Sequence, residues 1–126
     1  SQSPMEFTAS VPGERALPSP SSLHIAAHSA AGLWHIHSLA TLTELCRLQS
    51  SNISATAQWV GEEWMVFWTA DTVLLYCLSD RTGESSRSPN QPDGVIREAP
   101  AIGIAAVTGI DTGDGHCLIA VTLRWG

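Results

Sequence analysis

"EWMVFWTADTVLLYCL", Glu63 to Leu78, is apolar at almost every position on both sides of a short polar break. Aromatic and β-branched residues flanking Thr69 to Asp71 predict two strands joined by a turn. Along a strand successive side chains alternate, so Trp64, Val66 and Trp68 share one face and Met65 and Phe67 the other. Both faces are apolar, which predicts a strand with a packed layer on each side rather than a one-sided surface hairpin.

The rest of the chain is read against this segment. Ile102 to Thr108 and Leu118 to Leu123 are further short runs of strand composition, and "ISATAQWVGEEW" supplies another strand ending in a tight Gly61-Glu62-Glu63 hairpin. Pro12-Gly13, Pro18-Ser-Pro20 and the polar stretch Ser79 to Gly94 punctuate these runs as loops, the last expected to be flexible. Sliding the sequence by 42 positions lays "LHIAAHSAAGLWHI", Leu23 to Ile36, on "MVFWTADTVLLYCL", Met65 to Leu78. Ser29 then falls on Asp71, Trp34 on Tyr76 and Ile36 on Leu78. "IGIAAVTGIDTGDGHCLIAVTL" repeats the same strand, turn, strand order. The expected fold is all-β: a four-stranded antiparallel meander, repeated, with nine or ten strands over a single domain, residues 5–126. Ser1 to Pro4 are read as a cloning remnant.

"GLWHIHS" and "LLYCLSD" resemble the signature strand of a WD-repeat β-propeller, an inner strand carrying an aromatic and a short apolar pair. The resemblance covers about two and a half blades. Trp34 is followed by His35 and Tyr76 by Cys77, so the Trp-Asp pair of that family is absent, and no Gly-His pair opens a blade; only Asp71 matches its turn aspartate. The resemblance implies a partial propeller, a non-catalytic protein-protein interaction scaffold, and either a protein partner or the remainder of a larger propeller to complete the ring. Two other architectures fit the strand count and composition. One is a small closed β-barrel holding an apolar ligand in its lumen. The other is an α+β fold in which "SLATLTELCRLQ", Ser38 to Gln49, forms a helix, with Leu39, Leu42, Leu45 and Cys46 on one face.

Composition closes several function classes. At 126 residues with a net charge of −6, six arginines and no lysine, the chain lacks the clustered cations that nucleic-acid binding needs, and it has neither a Schiff-base nor a P-loop lysine. No run approaches the roughly 18–20 apolar residues of a membrane-spanning helix. Cys46, Cys77 and Cys117 are odd in number and embedded in apolar runs, which points to buried thiols and an intracellular protein, cytoplasmic or nuclear. No Gly-x-Ser-x-Gly elbow is present, no cysteine sits in an electropositive setting, and no cofactor is expected.

Four histidines, His24, His28, His35 and His37, crowd into "LHIAAHSAAGLWHIH". On a helix His24, His28 and His35 would share a stripe, yet His35 would lie about 10 Å beyond His28, too far to share an ion. On a strand His35 and His37 share a face, the weak alternative for a metal site. Glu62 and Glu63 are read as solvated turn residues, and "DTGDG", Asp111 to Gly115, as a hairpin turn rather than a calcium loop. Candidate partner-binding residues are the aromatics Trp59, Trp64 and Trp125, with Leu118, Ala120 and Thr122 on the last strand.

Overall fold

The computed structural model describes residues 15–29, 32–50, 54–81, 88–99 and 101–124. They form ten strands: β1 (Arg15–Pro18), β2 (His24–His28), β3 (Leu33–Ser38), β4 (Glu44–Gln49), β5 (Thr56–Val60), β6 (Trp64–Trp68), β7 (Thr72–Cys77), β8 (Gly94–Arg97), β9 (Ile104–Asp111) and β10 (Cys117–Leu123). A 3-10 turn at Leu78–Asp80 follows β7. The strands form three antiparallel sheets in simple meander order: β1-β2-β3-β4, β5-β6-β7-β8, and the hairpin β9-β10.

Burial on both faces of Glu63 to Leu78 explains how the sheets stack. Across β6 and β7, Met65 pairs with Tyr76 and Phe67 with Leu74. That face packs on Ala26, Trp34, Ile36 and Leu48 of the first sheet. The other face carries Trp64, Val66, Val73 and Cys77, and it packs on Ile104, Val107, Ile119, Val121 and Leu123 of the hairpin. The middle sheet is therefore sandwiched, with about 10 Å typical of each sheet-to-sheet spacing.

At one edge of the stack the first strand of each unit lies beside the next. The Trp59 indole N–H on β5 donates to the Leu17 carbonyl on β1 at 2.8 Å, and the Gln58 side-chain amide donates to the Val107 carbonyl on β9 at 2.8 Å. The turns that follow these first strands also meet. Glu62 in the β5–β6 turn accepts from the Ser19 hydroxyl and from the Ser21 backbone N–H at 2.6 Å, with His24 Nδ1 at 3.6 Å. On its other side Gly61, at φ +61°, has no Cβ to collide with Asp111 at the end of β9.

Glu62 is thus more than a solvated turn residue, because its carboxylate ties the first two units together. Burial acts to raise its pKa, but the hydrogen bonds from Ser19 and Ser21 and the nearby His24 outweigh it and hold the carboxyl below its ordinary value. A depressed folded-state pKa contributes stability above the ordinary carboxylate range and loses it as pH falls through the folded value. Glu62→Gln is expected to cost about 1–2 kcal/mol at pH 7. Chemical denaturation at stepped pH should show the gap from wild type closing below the ordinary carboxylate pKa. A gap unchanged at pH 3 would contradict this role.

Two expected architectures are overturned. Among the described residues the strands do not close into a barrel around a lumen; three separate sheets bury their apolar faces against one another. The helix over Ser38 to Gln49 is a turn followed by β4. Ser38 N–H donates to the Thr43 carbonyl and Leu42 N–H to the Ser38 carbonyl, with Leu42 at φ +58°. Beyond the turn, Cys46 and Leu48 face the middle sheet while Arg47 and Gln49 face away, and pairing with β3 leaves Leu48 fully buried. A helix here would have left the β3 edge unpaired.

The repeat also needs a correction. β2 and β3 correspond to β6 and β7, each the central hairpin of a four-stranded unit, but β6 starts 40 positions after β2 and β7 starts 39 after β3. An odd error flips a strand's faces. Trp34 and Tyr76 are thus not equivalent positions: they point toward each other into the same core, linked through Phe67, whose ring lies 5.5 Å from Trp34 and 5.7 Å from Tyr76. The true counterparts of Leu74 and Tyr76 are His35 and His37.

Candidate functional site

Because β2 and β3 are strands, the four imidazoles point in two opposite directions. His28 faces the middle sheet and stacks on Trp34, centroids 4.6 Å apart, while His24 stacks on Trp59 at 5.9 Å. His35 and His37 face away. They do share a face, but no group of three His, Cys, Asp or Glu side chains among the described residues is arranged to hold a metal ion.

His35 is instead the centre of a hydrogen-bonded row. Its Nδ1 lies 2.6 Å from a Glu44 oxygen and its Nε2 lies 3.1 Å from Ser29 Oγ, and Arg47 Nε approaches the same carboxylate at 3.2 Å. A bulge in β4 opposite Ile36 and His37 brings Glu44 to this face, so a glutamate that looks remote in sequence is adjacent in space. Burial acts to raise the Glu44 pKa, but the hydrogen bonds from His35 and Arg47 prevail and lower it. The carboxylate accepts from Nδ1–H. Ser29 Oγ also lies 3.2 Å from the Leu33 carbonyl, which competes with the imidazole for the hydroxyl proton. This row is a surface ladder tying the β2–β3 turn to β4.

The aromatic candidates divide by burial. Trp64 is 9 % exposed and sits in the core between the middle sheet and the hairpin. Trp59 is half-buried, held by His24 and by its bond to Leu17. Both serve the chain's own packing. Trp125 lies outside the described residues.

Leu118, Ala120 and Thr122 have a different environment. In the hairpin, Cys117, Ile119, Val121 and Leu123 face the middle sheet, which leaves Leu118, Ala120 and Thr122 on the opposite, exposed face. Their cross-strand partners on β9 are Ile110, Thr108 and Ala106. Ile110 and Leu118 are both 64 % exposed and directly paired, forming an uncovered apolar stripe that the sequence reading did not join together. Among the described residues β10 has no strand on its outer edge. At the far end of the hairpin, a solvent-open cleft of about 460 Å³ lies between Trp68, Asp71 and Arg124. Its walls mix apolar and polar surface, and Asp71 already accepts from the Thr69 and Thr72 hydroxyls at 3.0 Å each.

Cys46, Cys77 and Cys117 are all free thiols. Burial pushes the Cys46 thiol up to about 11 and raises Cys117 as well, which suppresses the thiolate. Among the described residues no helix is long and apolar enough to cross a membrane. No family model matches the chain, and no curated protein matches it.

Proposed function

We propose that the chain is a non-catalytic interaction scaffold built from propeller-like blades, whose third unit, β9–β10, docks a protein partner. The observation that carries this reading is the contrast between units. Among the described residues two sheets have four strands and the third has two, with an open β10 edge and the face of Ile110, Leu118, Ala120 and Thr122 turned to solvent. Open edges and contiguous apolar faces are the features that strand-adding partners recognise. Backbone groups along β10 would supply affinity, and the alternating side chains selectivity.

The side-by-side first strands and face-to-face sheets support the propeller reading, in which further blades, from a partner or the rest of a larger propeller, complete the ring. Three free thiols support a reducing compartment, cytoplasmic or nuclear. A photo-crosslinking residue placed at Ala120 in cells is expected to yield one discrete adduct, lost on adding Leu118→Arg. The same residue at exposed Arg47 should not yield that adduct. Failure at Ala120, or an identical adduct from both positions, would contradict the proposal.

A further inference from the structure

The outward face of the first sheet carries a cluster that docking at β9–β10 leaves unused. β2, β3 and β4 run side by side there, with Ala27 opposite His35 and His35 opposite Arg47. Alternation along the chain puts Ser29 on the face of Ala27. Ser29 Oγ lies 3.1 Å from His35 Nε2, and His35 Nδ1 lies 2.6 Å from Glu44 Oε1. Hydroxyl, imidazole and carboxylate in that order are what activates a serine: a base within reach of the hydroxyl, and a third group that orients the base. Arg47 Nε sits 3.2 and 3.3 Å from the two Glu44 oxygens, so the carboxylate is held as an anion against the ring. With Nδ1–H donated to Glu44, the free lone pair of the neutral imidazole is at Nε2, where the serine hydroxyl lies. The Leu33 carbonyl, 3.2 Å from the same hydroxyl, already accepts the Ser29 backbone N–H at 2.9 Å. Turning the hydroxyl proton to Nε2 therefore orphans no acceptor. The His35 and Glu44 side chains are 24 % and 34 % exposed and Ser29 is half-buried, so the row is open to reagents from solvent.

We propose that Ser29 is an activated nucleophile and a site of covalent acylation by activated esters. Its Oγ attacks the ester carbonyl carbon while the hydroxyl proton passes to His35 Nε2. The bond from that carbon to the leaving oxygen then breaks with its electron pair, and the leaving oxygen takes the proton from the imidazolium. The chain gains one acyl group in place of one hydrogen, the leaving group departs as its alcohol or phenol, and no oxidant or reductant is needed. Glu44 is a positioning residue: it fixes the tautomer and opposes the charge that gathers on the ring during the transfer. The reaction is stoichiometric, one acyl group per chain, and is independent of the docking role assigned to the third sheet.

The test labels the full chain with an alkyl fluorophosphonate, whose phosphorus stands in for the carbonyl carbon, whose fluoride is the leaving group and whose serine adduct is stable. Intact mass and peptide mapping locate the label. The expected result is one adduct per chain, on Ser29, formed at least about tenfold faster than at exposed Ser21 and slowed at least about tenfold by His35→Gln. The wild-type rate should also climb with pH as the imidazole loses its proton, a bend missing from His35→Gln, which a merely structural histidine would not produce. Glu44→Gln keeps an acceptor for Nδ1–H but removes the charge; it should slow labelling at least about threefold and keep the bend. Unfolding midpoints are compared first, and Glu44→Gln supplies the reading should His35→Gln not fold. No adduct at Ser29, an adduct on His35 itself, or a rate that neither substitution changes would overturn the proposal. With p-nitrophenyl acetate one acetyl group is expected on the same serine; phosphonylation without acetylation would overturn the ester class.

Discussion

Replacing Trp34 with alanine is expected to destabilise the fold by about 3–5 kcal/mol, the cost of truncating a large aromatic in a core that cannot collapse around the gap. Trp34 is 1 % exposed, stacked on His28 at 4.6 Å and tilted against Phe67 at 5.5 Å. It stands where the first and middle sheets meet, with Ile36 and Leu48 beside it. Both sheets are rigid meanders, so the cavity persists. Urea unfolding should show the loss as a lowered midpoint with an unchanged slope. A cost below about 1 kcal/mol would place Trp34 on a surface and separate the two sheets.

Arg81→Met is expected to cost about 3 kcal/mol, because it removes one member of a buried, hydrogen-bonded charge pair. Arg81 is 4 % exposed although it lies in the polar stretch Ser79 to Gly94. One guanidinium nitrogen donates to the Ser88 carbonyl at 2.9 Å, and the other approaches Asp93 at 3.4 Å and also bonds the Gln91 carbonyl. Its carbon lies 4.7 Å from the Tyr76 ring centroid. Asp93 in turn accepts from the Cys77 backbone N–H at 2.8 Å, at the end of β7. The methionine fills space but removes the guanidinium from Asp93 and from the Ser88 and Gln91 carbonyls, of which Ser88 keeps the Gln91 backbone N–H. The same denaturation experiment measures it, and a change within about 0.5 kcal/mol would mean that the guanidinium is solvated.

Much of the architecture could be read from alternation alone. Apolar residues on both faces of Trp64 to Trp68 predicted a sandwiched strand, and the middle sheet is sandwiched. The stretch Ile102 to Leu123 announced a hairpin, and the β9–β10 turn is held by Gly113 N–H on Asp111 with Gly113 and Gly115 at positive φ. Features that depend on pairing across long loops could not be read. A 42-residue offset matched letters, but the connections differ in length, so Trp34 was laid on the residue it faces. Glu44 reaches His35 only through a bulge, which leaves no local signature. Glu62 finds Ser19 across 43 positions. Arg81 lies in a stretch with the composition of a solvated loop, and its burial follows from where β8 returns. Helical spacing of Leu39, Leu42, Leu45 and Cys46 competed with the alternation of Cys46 and Leu48, and sheet pairing prevailed.

The central claim is that the described residues form an open stack of three sheets whose third member has half as many strands as the others. Methyl nuclear Overhauser contacts in the isotope-labelled full chain test it most directly. The account predicts contacts from Val60 to Ile119 and from Val66 to the inward methyls of β10, with Leu118 and Ile110 touching only each other and their strand neighbours. Contacts from Leu118 to any further strand of the chain, or no contact between Val60 and Ile119, would contradict it.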